Sequence, residues 1–132
     1  MSLADVLKIR PNLSESDQRV LDAQLAKLEE LKGHELMHEK FIKFVEKMWP
    51  SFISGRHHKR MAEAFERVAS GECKRLIINM PPRHTKSEFA SYLLPAWFLG
   101  KNPGKKVIQT SHTAELAVGF GRKVRNLVDS VN

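Results

Sequence analysis

The spacing of apolar residues changes near residue 74, and that change limits the folds open to this chain. Upstream, apolar side chains recur every three or four residues, which is the period of an amphipathic helix. Helices are predicted near 15–32, where Ser14 can cap the start and Gly33 ends the pattern, over 37–48 and around 61–69. Downstream, Leu76-Ile77-Ile78 is a short continuous apolar run between basic residues and a Pro-Pro pair, which is typical of a strand buried in a parallel sheet.

The order of the predicted elements after this point is strand, loop, helix, strand, helix. The second strand is expected at 106–110, and the two helices near 87–99 and 114–128. Pro95 is expected to kink the first of these helices, and Trp97 is expected to lie in the core. This order is typical of α/β proteins whose parallel strands are joined by right-handed crossovers. Two strands offer too little surface for a stable sheet. We therefore predict a helical region over 1–73 and an incomplete α/β domain over 74–132, and we expect the chain to be the N-terminal piece of a longer protein.

The composition is that of a globular chain, because 42% of the 132 residues are hydrophobic and 28% are charged. The longest uncharged stretch has 12 residues and includes Pro95, whereas a membrane span needs about 20 apolar residues. Asp5 interrupts the segment where a secretion signal would be apolar. The single cysteine, Cys73, excludes an internal disulfide. We expect neither a membrane protein nor a secreted one.

The residues that indicate a chemical function lie in the loop after the first predicted strand. It reads Met80-Pro81-Pro82-Arg83-His84-Thr85-Lys86-Ser87, with Met80 and Thr85 at the positions where the usual phosphate-loop pattern has glycine. The Lys-Ser pair of that pattern is kept. Such a lysine reaches the β and γ phosphates, the hydroxyl ligates Mg²⁺, and the helix start offers N–H groups to an anion. The net charge of 22 − 15 = +7 also fits a polyanionic ligand or partner.

Residues 81–88 resemble the deviant Walker A loop of tailed-bacteriophage terminase large subunits, whose form is Pro-Pro-Arg-His-Gly-Lys-Ser-Glu. Seven of the eight positions match, and a looser similarity covers 57–68, 70–72, 110–112 and 121–130. The resemblance implies a RecA-like phosphate-loop NTPase fold, of which 74–132 would form the first two strand-helix units. It implies ATP-driven packaging of double-stranded DNA into proheads, with the nuclease domain of the family absent from this chain.

The resemblance also implies roles for the loop residues. Lys86 would contact the β and γ phosphates of ATP, Ser87 would hold Mg²⁺, and Arg83 would approach the γ phosphate. The implied nucleotide-binding residues are Pro82, Arg83, His84, Thr85, Lys86 and Ser87, and the implied catalytic residues are Arg83 and Lys86.

Thr85 departs from the family pattern, in which most relatives have glycine at this position. If the position requires a positive φ, a β-branched residue there costs about 1 to 2 kcal/mol. Either the loop uses a conformation open to threonine, or phosphate binding is impaired. We favour the first, because the neighbouring residues are intact and Pro81-Pro82 stiffens the loop.

The partners implied by the resemblance are double-stranded DNA, the portal protein, the small terminase subunit and further copies of the chain in a ring, in the host cytoplasm during virion assembly. Hydrolysis by such enzymes also needs an acidic residue at a second strand end and a carboxylate that positions water. The acids after Ser87 are Glu88, Glu115 and Asp129, and none follows an apolar strand. We therefore expect the family to be enzymatic and this chain alone to be inactive.

Two further interpretations stay open. The first is a truncated, non-catalytic relic or a basic nucleic-acid-binding module. The basic cluster His57-His58-Lys59-Arg60 could touch DNA phosphates, could lie near the adenine as the resemblance suggests, or could be a solvated face. The second is a zinc hydrolase, because residues 34–38 match His-Glu-x-x-His, with His34 and His38 as zinc ligands and Glu35 as general base. No third ligand has a supporting spacing.

Overall fold

The computed structural model describes residues 13–130, whose regular elements are all helical. In chain order they are α1 (Glu15–Glu39), α2 (Phe41–Met48), α3 (Arg56–Ala69), a π-helical segment (Glu88–Leu93), α4 (Leu94–Lys101) and α5 (Ala114–Ser130). The chain divides into two compact units between Glu35 and Leu36, within α1. The domain boundary predicted between residues 73 and 74 stays a prediction.

The predicted α/β fold with parallel strands is wrong for the described residues. Residues 75–80 and 105–110 form neither helix nor strand, and no backbone ladder joins them. Ile77 and Ile108, which lie in the middle of the two predicted strands, are 86% and 91% exposed. An apolar run becomes a strand only where a neighbouring strand supplies hydrogen-bond partners, and no segment within 13–130 does so. A RecA-like sheet is therefore absent from this part of the chain.

The predicted helices are present, with some ends displaced. Ser14 caps the start of α1 as expected, since its Oγ accepts a hydrogen bond from the Asp17 N–H at 3.3 Å. The helix then continues through Gly33 to Glu39, whereas the sequence predicted a stop at that glycine. A glycine inside a helix destabilises it by only about 1 kcal/mol, so a helix can continue through glycine where proline would end it.

The core of the unit that begins at Leu36 is built around one phenylalanine. Phe41 of α2 is fully buried, and its ring meets those of Phe65, Phe89 and Trp97 edge-on at centroid distances of 5.3, 5.6 and 5.5 Å. The Trp97 indole donates a hydrogen bond to the Met37 carbonyl at 2.8 Å. Trp97 is thus a core residue, as the sequence predicted, and the four aromatic rings join α2, α3, the π-helical segment and α4.

Pro95 lies in the first turn of α4 and shapes the helix before it. Proline has no N–H, so the carbonyl of Ser91, four residues earlier, has no α-helical donor. The helix widens instead of breaking, and the Leu94 N–H donates to the Phe89 carbonyl five residues back. The side-chain amide of Gln109 supplies the missing donor to Ser91 at 2.7 Å. The kink expected at Pro95 is therefore a π-helical segment.

Within residues 13–130, no helix combines the length and the apolar character that crossing a membrane requires.

Candidate phosphate-binding loop

The candidate site is the loop that leads from residues 75–80 into the helical stretch beginning at Lys86. The Thr85 carbonyl accepts the first helical hydrogen bond, from the Phe89 N–H at 2.9 Å. The backbone N–H groups that follow Thr85 belong to the first helical turn, where donors have no intrahelical acceptor. Lys86 and Ser87 therefore stand where a helix offers its N–H groups and its positive dipole end to an anion.

Two residues of the loop have left-handed backbone conformations. The φ angles are +64° at Arg83 and +57° at Thr85, and these are the non-glycine residues with positive φ among those described. Alternation of right- and left-handed residues turns successive N–H groups toward a common point, which is the geometry of an anion-binding nest. The two positive φ angles, at positions 83 and 85, are the feature that this loop shares with such nests, although it contains no glycine.

The expectation that the loop avoids positive φ at Thr85 is wrong. Thr85 takes the left-handed conformation that glycine adopts without penalty. A β-branched residue in that conformation costs on the order of 1 to 2 kcal/mol. Surrounding contacts must therefore hold the residue in place.

A chain of three hydrogen bonds holds Thr85 from the side of α3. The Gly55 N–H donates to Nδ1 of His58 at 2.9 Å, and Nε2 of His58 lies 2.8 Å from Thr85 Oγ1. The Thr85 hydroxyl donates to the His84 carbonyl at 2.7 Å. Because Nδ1 accepts from a backbone N–H, the neutral ring carries its proton on Nε2 and donates it to Thr85.

His58 is fixed in position by aromatic neighbours. It is 6% exposed, and its ring centroid lies 4.7 Å from that of Phe52 and 5.0 Å from that of Phe89. Burial lowers the pKa of His58 below its ordinary 6.5, and the nearby His57 and His84 lower it further. Near neutral pH the ring is therefore uncharged, as its hydrogen bonds require.

Lys86 is half-buried, and its ammonium group lies against the chain that enters the loop. Its Nζ is 3.5 Å from the Met80 carbonyl, so one of its three donors is occupied by a long contact. Pro82, Arg83, His84 and Ser87 are exposed to solvent. The predicted binding residues thus lie together around the helix start, and the Lys86 ammonium group is held by its contact with the Met80 carbonyl.

The side chains of the loop could hold Mg²⁺ only if phosphate oxygens also ligated the ion. Ser87 offers one exposed hydroxyl at the helix start, and the adjacent Glu88 carboxylate pairs with Lys123 of α5 at 3.2 Å. In the described part of the chain, no three His, Cys, Asp or Glu side chains lie close enough to hold a metal. Since Mg²⁺ keeps several waters and takes its other ligands from phosphates, Ser87 would supply the single protein oxygen.

The zinc interpretation gains no support from these residues. His34, Glu35 and His38 all lie on α1, and within residues 13–130 no third ligand completes a metal site with them. A catalytic zinc site needs three protein ligands.

The role of His58 is the feature that sequence reasoning missed. The sequence grouped it with exposed basic residues, yet it is buried and directed at the loop. Its spacing already indicated this, because positions 58, 61, 62 and 65 share one helical face and the other three are Met61, Ala62 and Phe65. His57, Lys59 and Arg60 are exposed, as a solvated basic face requires.

The structure also has a groove whose lining includes Lys123, the partner of Glu88. This open groove of about 830 Å³ runs along α5 between Thr113 and Lys123, and a single helix lines it.

Searches against protein-family models, curated proteins and solved structures found no match to this chain.

Proposed function

We propose that the loop from Pro81 to Ser87 binds the β and γ phosphates of ATP. The observation that carries the proposal is the left-handed conformation of Arg83 and Thr85 directly before a helix that starts with Lys86. Such a loop directs backbone N–H groups at an anion, and the lysine adds a full positive charge. The proposal depends on the loop and the helix after it, since residues 13–130 contain no sheet.

Each loop residue has a defined part in this proposal. Lys86 leaves the Met80 carbonyl and contacts the β and γ phosphate oxygens. The Ser87 hydroxyl coordinates the Mg²⁺ carried by the nucleotide, and the backbone of 84–87 surrounds the β phosphate. Arg83, which is an exposed residue of the loop, approaches the γ phosphate with its planar guanidinium group.

We further propose that the chain contributes this loop to a DNA-packaging motor of the terminase type. What supports the proposal is the match at seven of eight positions of the Pro-Pro-Arg-His-Gly-Lys-Ser-Glu pattern. In that setting ATP hydrolysis drives double-stranded DNA into a prohead in the host cytoplasm. The portal protein, the small terminase subunit and other copies of the chain are the corresponding partners.

These residues alone are proposed to bind nucleotide without hydrolysing it. Hydrolysis needs a carboxylate that positions the attacking water. The acid nearest in sequence to the phosphate position is Glu88, and it is engaged with Lys123. Mixing the chain with ATP and Mg²⁺ should therefore release no phosphate above the background rate.

Thermal unfolding with increasing ATP and Mg²⁺ tests the proposal. A ligand that binds only the folded state stabilises it by about 2.7 kcal/mol at 100 times its dissociation constant. The melting temperature should rise with ATP for the native chain and for Lys105→Ala, an exposed lysine outside the loop. It should not rise for Lys86→Ala. An equal rise in all three proteins would contradict the proposal. Binding of DNA with no response to ATP would favour the nucleic-acid-binding module instead.

A further inference from the structure

We propose that His58 is a positioning residue for the phosphate-binding loop, which it holds in its binding conformation through the hydroxyl of Thr85. The inference depends on the proposed function only for the identity of the ligand. Its structural part concerns the loop alone and has its own measurement.

The first step is the strain at Thr85. Its φ of +57° lies in the region that favours glycine. If nothing held it, threonine would relax toward negative φ, and the N–H groups of the loop would no longer point to a common centre. A threonine at this position therefore needs a contact from outside the loop.

The second step is the source of that contact. His58 Nε2 donates to Thr85 Oγ1 at 2.8 Å, and α3 supplies the histidine. The ring is 6% exposed and packed against both Phe52 and Phe89. Its other nitrogen is occupied by the Gly55 N–H. Both ring nitrogens of His58 are thus hydrogen-bonded, and the buried ring cannot move with Thr85 if the loop relaxes.

The third step is that the effect of His58 on the loop depends on the residue at position 85. In a chain with glycine at position 85 there is no hydroxyl for His58 to bind, and glycine reaches positive φ at no steric cost. In Thr85→Gly the conformation of the loop should therefore no longer depend on His58. The effect of losing the histidine contact should appear with threonine at position 85 and vanish with glycine.

Two substitutions of His58 separate positioning of the loop from a general role in folding. His58→Gln keeps an amide N–H near the position of Nε2 and loses the acceptor for Gly55. His58→Asn keeps an acceptor near the position of Nδ1 and cannot reach Thr85. Both remove the same aromatic packing. Thr85→Val removes only the hydroxyl from a side chain of the same shape, and it provides the test if His58→Asn does not fold.

The test measures two properties of the full chain. The first is the set of backbone chemical shifts of Thr85 without ligand, which report its φ. The second is the affinity for inorganic triphosphate with Mg²⁺. His58→Asn and Thr85→Val should lose the left-handed shifts and bind about five-fold more weakly, the equivalent of one net hydrogen bond. His58→Gln should resemble the native chain, and His58→Asn should have no effect on affinity in the Thr85→Gly background.

Two outcomes would overturn the inference: equal behaviour of His58→Asn and His58→Gln, or an undiminished effect of His58→Asn with glycine at position 85. If the native chain does not bind triphosphate, the proposed function fails. The chemical shifts of the unliganded variants still decide whether His58 positions the loop.

Discussion

The side-chain amide of Gln109 donates a 2.7 Å hydrogen bond to the carbonyl of Ser91, the group that Pro95 leaves without its α-helical donor. This contact joins the segment 105–110, which forms neither helix nor strand, to the helical stretch that begins at the candidate loop. It also supplies the donor that Pro95 removes from the helical stretch 86–101.

Replacing Gln109 should destabilise the protein through this carbonyl. Gln109→Ala leaves the Ser91 oxygen without the amide donor, which costs about 1 to 3 kcal/mol at a partly buried site. Lys106→Ala, in the same segment but exposed, should change stability by less than about 0.5 kcal/mol. Urea denaturation of both variants measures the difference. Equal stabilities would show that the hydrogen bond contributes nothing.

The aromatic core predicts a large effect at Phe41. Phe41→Ala removes the ring that meets Phe65, Phe89 and Trp97, and such a truncation costs about 3 to 5 kcal/mol. Ile53→Ala is the control, because Ile53 is 86% exposed. Chemical denaturation should show a much larger loss of unfolding free energy for Phe41→Ala than for Ile53→Ala. A loss under about 1 kcal/mol at Phe41 would contradict the described packing.

The turn after α3 requires glycine at one position. Gly71 has a φ of +83°, and Gly71→Ala should cost about 1 kcal/mol because a Cβ is strained there. Gly104 also lies in a turn, without a left-handed φ and with open space around it. Gly104→Ala should be neutral or slightly stabilising, since alanine restricts the unfolded chain. Thermal unfolding compares the two, and a larger loss at Gly104 would refute this account of the turn.

Acidification should destabilise the protein through His58. Burial, together with His57 and His84, lowers the pKa of the folded state below 6.5. The unfolded chain keeps the ordinary value, so below about pH 6.5 it binds more protons than the folded chain. The contribution of His58 is therefore constant above that pH, and stability falls as the pH drops through it.

Denaturation at pH 7.5 and pH 5.5 measures this dependence. His58→Gln should flatten it, whereas His57→Gln should keep most of it because burial is the larger cause of the lowered pKa. An unchanged pH dependence in His58→Gln would mean that other groups cause the loss of stability.

The helices were predictable from the sequence because their signals are local. Apolar spacing located α2, α3 and α5, and Ser14 marked the start of α1. The predicted strands failed because a strand depends on partners distant in sequence. Ile77 and Ile108 have strand-like neighbours in sequence but no adjacent strand within the described residues.

The candidate site was only partly predictable. Lys86 and Ser87 were identified from their spacing and do lie at a helix start. The left-handed conformation of Thr85 was not expected, because φ at one residue depends on contacts such as the one from His58, 27 positions away in sequence. The ion pair of Glu88 with Lys123 likewise joins residues 35 positions apart in sequence.

Mapping the triphosphate site by amide chemical shifts tests the central claim most directly. On titration of the chain with inorganic triphosphate and Mg²⁺, the largest shifts should fall on the amides of residues 83–88, and Lys86→Ala should abolish them. Shifts concentrated on the exposed basic residues of α3 or α5, or unchanged by Lys86→Ala, would contradict the assignment of this loop as the phosphate-binding site.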